Sequence, residues 1–244
     1  VHSCHAFFSN SIASVISASF ILAYPRRIVA SFFSCISSCI SGQQNVYKLT
    51  SDEFMVLDTS SDNLQAAAKL YDQIRYAIDR FVKNNNFTVV FTISAGILSF
   101  YDLPRTNYAE IIKRTDFALN KAKTRGRNQF YLFEEKEYKN FLRLREITDE
   151  LHAAVKHDFH GFTAFFQPVL NINKKRLAGA EALLRFSSEQ FGIVSPAEFI
   201  PILEESGLIL PVGRWMMRET IKVCKEIRKT LPYFQISINI SAIQ

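Results

Sequence analysis

A chain of 244 residues that is 48% hydrophobic and 13% aromatic is long enough for one large domain or two smaller ones, and apolar enough to exclude a disordered segment. Its formal net charge of +6 is too modest to argue for a nucleic-acid polymer as partner, since a bound phosphate ligand or an omitted acidic segment explains it equally well. The four cysteines, Cys4, Cys35, Cys39 and Cys224, lack the paired spacing of a zinc site and read as reduced, cytoplasmic thiols, with His2 and His5 on a frayed terminus.

Residues 1 to 42 are serine-rich and carry only Arg26 and Arg27 as charged side chains. The apolar run Ile12 to Tyr24 is interrupted by serine and falls short of the roughly 20 apolar residues that span a bilayer, so no transmembrane helix is expected. From Ile28, apolar residues at Val29, Phe32, Phe33, Ile36 and Ile40 fall at helical spacing, which predicts a core-facing helix. Two strands follow, separated by a polar break in VYKLTSDEFMVLD that holds adjacent carboxylates, Asp52 and Glu53. A helix is predicted from about Asn63 to Lys83, then a strand in FTVVFTISAGILSF. A helix ended by Gly126 and a strand QFYLF come next. Helix, hairpin, helix, strand, helix, strand implies an α+β sheet layered with helices.

A charged segment, Glu134 to His157, carries Phe141, Leu144, Ile147, Leu151 and Val155 at spacings of three and four, which predicts a linking helix solvated on one face. A second unit then runs strand FTAFFQPVLNI, turn, strand LAGAEALLRF, a helix from Pro196, a helix Val212 to Lys229, and strand FQISINIS. This alternation predicts a barrel or a doubly wound fold. The chain opens without Met and closes inside a strand-like pattern, so it is expected to be an internal fragment of a longer protein.

Strand parity puts Leu177, Gly179, Glu181, Leu183 and Arg185 on one face of LAGAEALLRF. A carboxylate directed at an interior is costly unless it is paired or binds a metal, so Glu181 is either half of an ion pair with Arg185 or a ligand. The blocks FFQPV, EALLRF, SPAEFIPILEESGLI and SINIS, whose four-block pattern runs in order from Phe166 to Gln244, resemble the EAL-domain phosphodiesterases that hydrolyse cyclic-di-GMP. The resemblance implies that Glu181 and Asn239 are ligands of a Mg²⁺ or Mn²⁺ centre and that Glu181 is catalytic. It also implies that Gln167 and Arg185 contact substrate, Arg185 through a phosphate. Hard divalent ions take oxygen ligands and activate water, which suits phosphodiester hydrolysis. The family's remaining acidic ligands, its paired aspartates and its lysine follow the asparagine strand and have no match here, so the fragment is expected to be inactive.

VYKLTSDEFMVL, FTISAGI and IIKRTDFALNKAKTRGRNQFYLF resemble the GGDEF domain, which condenses two GTP into cyclic-di-GMP and often precedes EAL. The resemblance makes Asp52, Glu53, Lys123 and Arg127 nucleotide-site residues, Lys123 and Arg127 toward phosphates. Alternatively, those two are a basic helix end favoured by the helix dipole. Thr50 and Ser51 stand where the family has glycines, whose freedom at positive φ suits such a turn. Residues 1 to 42 supply no partner aspartate, and SGQQ at Ser41 to Gln44 replaces the usual RxxD inhibitory motif. Cyclase activity is therefore not expected.

Together the resemblances imply an α/β protein: an α+β nucleotidyl-cyclase-like GGDEF domain with a ferredoxin-like core over residues 1–134, a linking helix over 135–160, and the opening part of a TIM-like β/α barrel over 161–244. They imply a cytoplasmic cyclic-di-GMP phosphodiesterase in the complete protein, homodimeric and with GTP as a further ligand of the GGDEF module. A membrane anchor would be supplied only by upstream segments. The alternative is a non-catalytic receptor or scaffold in which both modules have decayed.

Overall fold

In a computed structural model of the protein, the residues described are 14–20, 26–40, 44–50, 53–58, 64–86, 92–99 and 107–244. The chain divides into two units, Val1–Tyr138 and Lys139–Gln244.

The first unit opens on a strand, β1 (Ser14–Phe20), followed by α1 (Arg26–Cys39) and the antiparallel pair β2 (Gln44–Lys48) and β3 (Glu53–Asp58). Then come α2 (Leu64–Asn84), β4 (Ile93–Ser99), α3 (Tyr108–Thr124) and β5 (Phe130–Leu132). The strands form one sheet in the order β2-β3-β1-β4-β5. The expected order begins with a helix, and β1 corrects it: this strand lies at the centre of the sheet, antiparallel to both β3 and β4. Its sequence, SVISASF, sets Val15 beside Ile16 and mixes serine with apolar residues on both parities, so the period-two contrast that announces a strand is weak.

Alternation along the neighbouring strands builds two apolar layers. Phe54 and Val56 of β3, with Ile93, Ala95 and Ile97 of β4, pack against Phe32 and Ile36 of α1 and Leu70, Ile74 and Ile78 of α2. Met55 and Leu98 pack with Ile111 of α3 in a separate cluster. Gly96 allows α3 to lie against β4, because a β-carbon there would overlap the Leu119 amide nitrogen and the Thr115 carbonyl oxygen. Helix α3 starts at Asn107, whose side chain accepts from the Glu110 amide at 2.9 Å. It ends in a left-handed turn, with φ of 119° at Gly126 and 60° at Arg127.

Helix α4 (Glu135–Lys156) crosses the division between the units, and its first turn is fastened to the first unit. Arg114 pairs with Glu135 at 2.6 Å, and Lys121 and Arg125 each reach Glu137 at 3.2 Å. Tyr138 is buried against Phe117 and Phe133, with ring centroids 5.2 and 5.5 Å away. The expected apolar stripe on α4 holds at Ile147 and Leu151, which are buried, and is corrected at Phe141 and Leu144, which are exposed; apolar spacing marks a face without saying how far along the helix packing partners cover it.

In the second unit β6 (Phe162–Asn171) pairs antiparallel with β7 (Arg176–Ser188). After β7 come the unexpected short strand β8 (Gly192–Val194), α5 (Pro196–Glu205), α6 (Ile209–Arg228) and β9 (Gln235–Ile238). Strand β7 is shared: β8 pairs antiparallel with its end, and β9 pairs parallel with Gly179 to Ala182. Phe162, Phe186, Val194, Phe199, Leu203, Ile209 and Val212 form the core with Ile147 and Leu151. Among the described residues this is an open sheet with helices, an incomplete β/α barrel.

Gly96→Ala should destabilise the first unit by about 3 kcal/mol, the upper part of the range for overpacking, because both obstructing atoms are backbone; chemical denaturation measures it. The basic neighbours Lys121 and Arg125 hold the Glu137 carboxyl below its ordinary value of 4.5, hydrogen bonding to Lys121 being the largest cause. Its contribution to stability is full above that value and is lost as pH falls through the lowered one. Glu137→Gln should lower the melting temperature at neutral pH, and the difference from wild type should vanish in acid.

Candidate functional site

Strand β7 carries Glu181 at its centre, with Gln167 of β6 and Ser237 of β9 as its register partners. Directly opposed residues in a sheet project to the same side, so Gln167 and Glu181 share a face. The opposite face of β7, with Ala180, Ala182 and Phe186, is buried. Glu181 itself is half-buried, which corrects the expectation of a carboxylate directed into an enclosed interior. Asn239 follows β9, and its Nδ2 donates to Glu181 Oε1 at 2.7 Å. Gly179 makes this meeting feasible: a β-carbon there would overlap the Gln235 carbonyl oxygen and force β9 away from β7.

Arg185 does not pair with Glu181. Four residues along a strand separate the two by about 13 Å, beyond ion-pair reach. Its Nη1 instead donates to the Leu184 carbonyl at 2.9 Å, and its guanidinium lies 5.8 Å from the centroid of Phe165. Phe165 was not singled out from the sequence, although its two-residue spacing from Gln167 on β6 places it on the same face.

In the first unit, Glu53 opens β3 and its carbonyl accepts from Leu49 at 2.9 Å and Thr50 at 3.3 Å, closing the turn from β2. Asp52 lies outside the described residues. Lys123 Nζ sits 3.6 Å from Glu53 Oε1. Asp116 was also missed by sequence reading, although it lies two helical turns before Lys123 on the same face. Its carboxyl is pushed above its ordinary value by partial loss of hydration and by the Glu53 charge, with Lys123 opposing. Arg127 is exposed in the left-handed turn. Lys123 is therefore engaged by a carboxylate while Arg127 faces solvent.

Cys35 and Cys39 lie one turn apart on α1, and burial pushes both thiols up, which favours the protonated form at neutral pH. No helix among the described residues is long and apolar enough to cross a membrane.

Residues 27–129 match the family model described as "Diguanylate cyclase, GGDEF domain", and residues 148–244 match that of the "EAL domain". The chain belongs to the GGDEF–EAL tandem family. An uncharacterized protein of Synechocystis is 32% identical over 196 residues, 79% of this chain and 27% of that protein. The "Bifunctional diguanylate cyclase/cyclic di-GMP phosphodiesterase MucR" of Pseudomonas aeruginosa is 27% identical over 86% of this chain and 30% of its own length. The "Cyclic di-GMP phosphodiesterase PdeR" of Escherichia coli is 29% identical over 86% of this chain and 31% of its own length. The chain thus spans under a third of the length of these relatives.

The GGDEF match begins at residue 27, so β1 completes the GGDEF sheet from outside the matched sequence. In the EAL unit, Glu181 and Asn239 offer carboxylate and carboxamide oxygens, donors suited to a hard divalent cation. The Asn239 amide presents nitrogen to Glu181, and rotation about its last torsion exchanges nitrogen for oxygen. These two residues fit Mg²⁺ or Mn²⁺ in donor type and would supply two of the roughly six ligands such an ion takes. Among the described residues no group of three His, Cys, Asp or Glu side chains gathers for a metal.

Gly179→Ala should separate β9 from β7 and break the Asn239–Glu181 bond. The expected outcome is a loss of about 2 kcal/mol in stability, together with loss of amide hydrogen-exchange protection in residues 235–238. Retained protection would show that the strands tolerate a β-carbon there.

Proposed function

We propose that this chain belongs to a cyclic-di-GMP phosphodiesterase whose EAL unit hydrolyses the dinucleotide to linear pGpG, with a GGDEF unit that regulates and does not synthesise. The observation that carries the reading is the 2.7 Å bond between Asn239 and Glu181, with Gln167 directly across from Glu181 on the same sheet. Three residues separated along the chain gather at the middle of β7, where a divalent ion and a phosphodiester would need them. The activities named for the Pseudomonas and Escherichia relatives support the same substrate class.

In this reading Glu181 and Asn239 hold Mg²⁺ or Mn²⁺, and Glu181 is the catalytic carboxylate. Such an ion, when bound, polarises a phosphoryl oxygen and lowers the pKa of water. The Gln167 carboxamide orients the dinucleotide, and the Arg185 guanidinium meets a phosphate, for which its planar fork is suited. Two protein oxygens are too few for tight binding of the ion, so the 244-residue polypeptide by itself should not turn over. The proposed boundaries are residues 1–134 for the GGDEF domain, 135–160 for the linker and 161–244 for the EAL portion. The complete protein is proposed to be homodimeric and cytoplasmic.

Thr50 and Ser51 at the turn, and the contact of Lys123 with Glu53, support a GGDEF unit without cyclase activity. Arg127, exposed, keeps a phosphate contact available, so GTP is proposed as a regulatory ligand alongside Asp52, Glu53 and Lys123. The same worn turn favours a second reading, in which the protein binds cyclic-di-GMP without hydrolysing it.

The complete protein, incubated with cyclic-di-GMP and Mg²⁺ or Mn²⁺, should release linear pGpG, and Glu181→Ala should abolish release. Binding without product would select the receptor reading. Calorimetric titration of the complete protein with GTP should show binding that Arg127→Ala weakens; no heat in wild type would remove GTP from the proposal.

A further inference from the structure

Asn239 is exposed and lies beyond the last ladder pair of β9, Ala182 with Ile238. Neither burial nor strand pairing holds it in place. The turn at Ser241 to Gln244 does so instead. The Ser241 hydroxyl donates to Glu204 Oε1 of α5 at 2.5 Å and accepts from the Ile243 amide at 3.3 Å. The Ser241 amide donates to Gln244 Oε1 at 3.0 Å, and the Gln244 amide donates to the Ser241 carbonyl at 3.0 Å. Gln244 Nε2 then donates to the carbonyl of Ile209 at the start of α6, at 3.1 Å. The segment after Asn239 is thus tied to two helices.

Gly213 supplies an independent sign that this seat is built. A glycine inside a helix is unfavourable relative to alanine, yet Gly213 occupies the second turn of α6. A β-carbon on it would overlap the Gln244 carboxamide. The absent side chain is the space in which Gln244 sits.

We infer that Glu204, Ser241, Gln244 and Gly213 form a positioning device that holds the Asn239 carboxamide against Glu181, and so sets the affinity of the divalent-ion site. This rests on the proposed EAL chemistry and adds to it four residues, none of which contacts the ion. Groups that orient metal ligands without touching the metal typically change affinity by about 10- to 100-fold when removed. Ser241 needs an acceptor on α5, not a charge, so a glutamine at position 204 should serve as well as glutamate. Gly213→Ala removes the seat of Gln244 while improving the helix, so its effect on the site is opposite in sign to its effect on helix stability.

The test uses the complete protein and Mn²⁺, with free ion counted by electron paramagnetic resonance. Ser241→Ala, Glu204→Ala and Gly213→Ala should each weaken Mn²⁺ binding about tenfold, while Glu204→Gln retains wild-type affinity. The melting temperature of Gly213→Ala should equal or exceed that of wild type, which separates positioning from folding. Hydrogen exchange in residues 239–244 should accelerate in Ser241→Ala and Gly213→Ala. If Glu181→Ala abolishes binding but the three variants bind Mn²⁺ as wild type does, the device is refuted and the phosphodiesterase reading stands. If wild type binds no Mn²⁺, both are refuted. Loss of affinity in Glu204→Gln equal to that in Glu204→Ala would overturn the acceptor role assigned to Glu204.

Discussion

The close approach of β9 to β7 at Gly179 is the constraint on which the candidate site depends. Parallel pairing places Ser237 beside Glu181, and two residues later the chain delivers Asn239 to the same carboxylate. Any side chain at position 179 would press on the backbone of Gln235, so the strand spacing also sets the approach of Asn239 to Glu181. Both flanks of β7 contribute, since Gln167 reaches the shared face from β6.

The GGDEF unit solves a similar problem with Gly96, where α3 lies directly on β4. That contact fixes α3, whose last turn carries Lys121 and Lys123 and whose end leads into Arg125 and Arg127. Lys121 and Arg125 face α4 while Lys123 faces Glu53. One basic helix end therefore serves two structural neighbours, and Arg127 beyond it is exposed. The dipole argument for a basic helix terminus is satisfied at the same time, so charge alone did not distinguish a nucleotide site from a helix cap.

Much of the fold was legible because its elements are long and strongly periodic. Helix α2 keeps Leu70, Ile74 and Ile78 on one face, and β7 buries Ala180, Ala182 and Phe186 on one side of the sheet. The exceptions have physical causes. Strand β1, SVISASF, mixes serine and apolar residues on both parities, which hides a period of two. The stripe expected on α4 holds at Ile147 and Leu151, which the second unit's core covers, and fails at Phe141 and Leu144, because apolar spacing does not say how far along a helix its packing partners reach.

At the site, the sequence alone determined the order of the blocks, the parity that puts Glu181 and Arg185 on one face, and the presence of Thr50 and Ser51 in the polar break before Asp52 and Glu53. These are local properties, readable from neighbours along the chain. Tertiary structure decided which partner Glu181 takes: not Arg185, four residues away on an extended strand, but Asn239, 58 positions later. It also decided that Lys123 meets Glu53 and that a glycine in α6 is a seat for Gln244. Such choices depend on distances across a sheet and between helices, and a linear pattern carries the residues for them without carrying the distances.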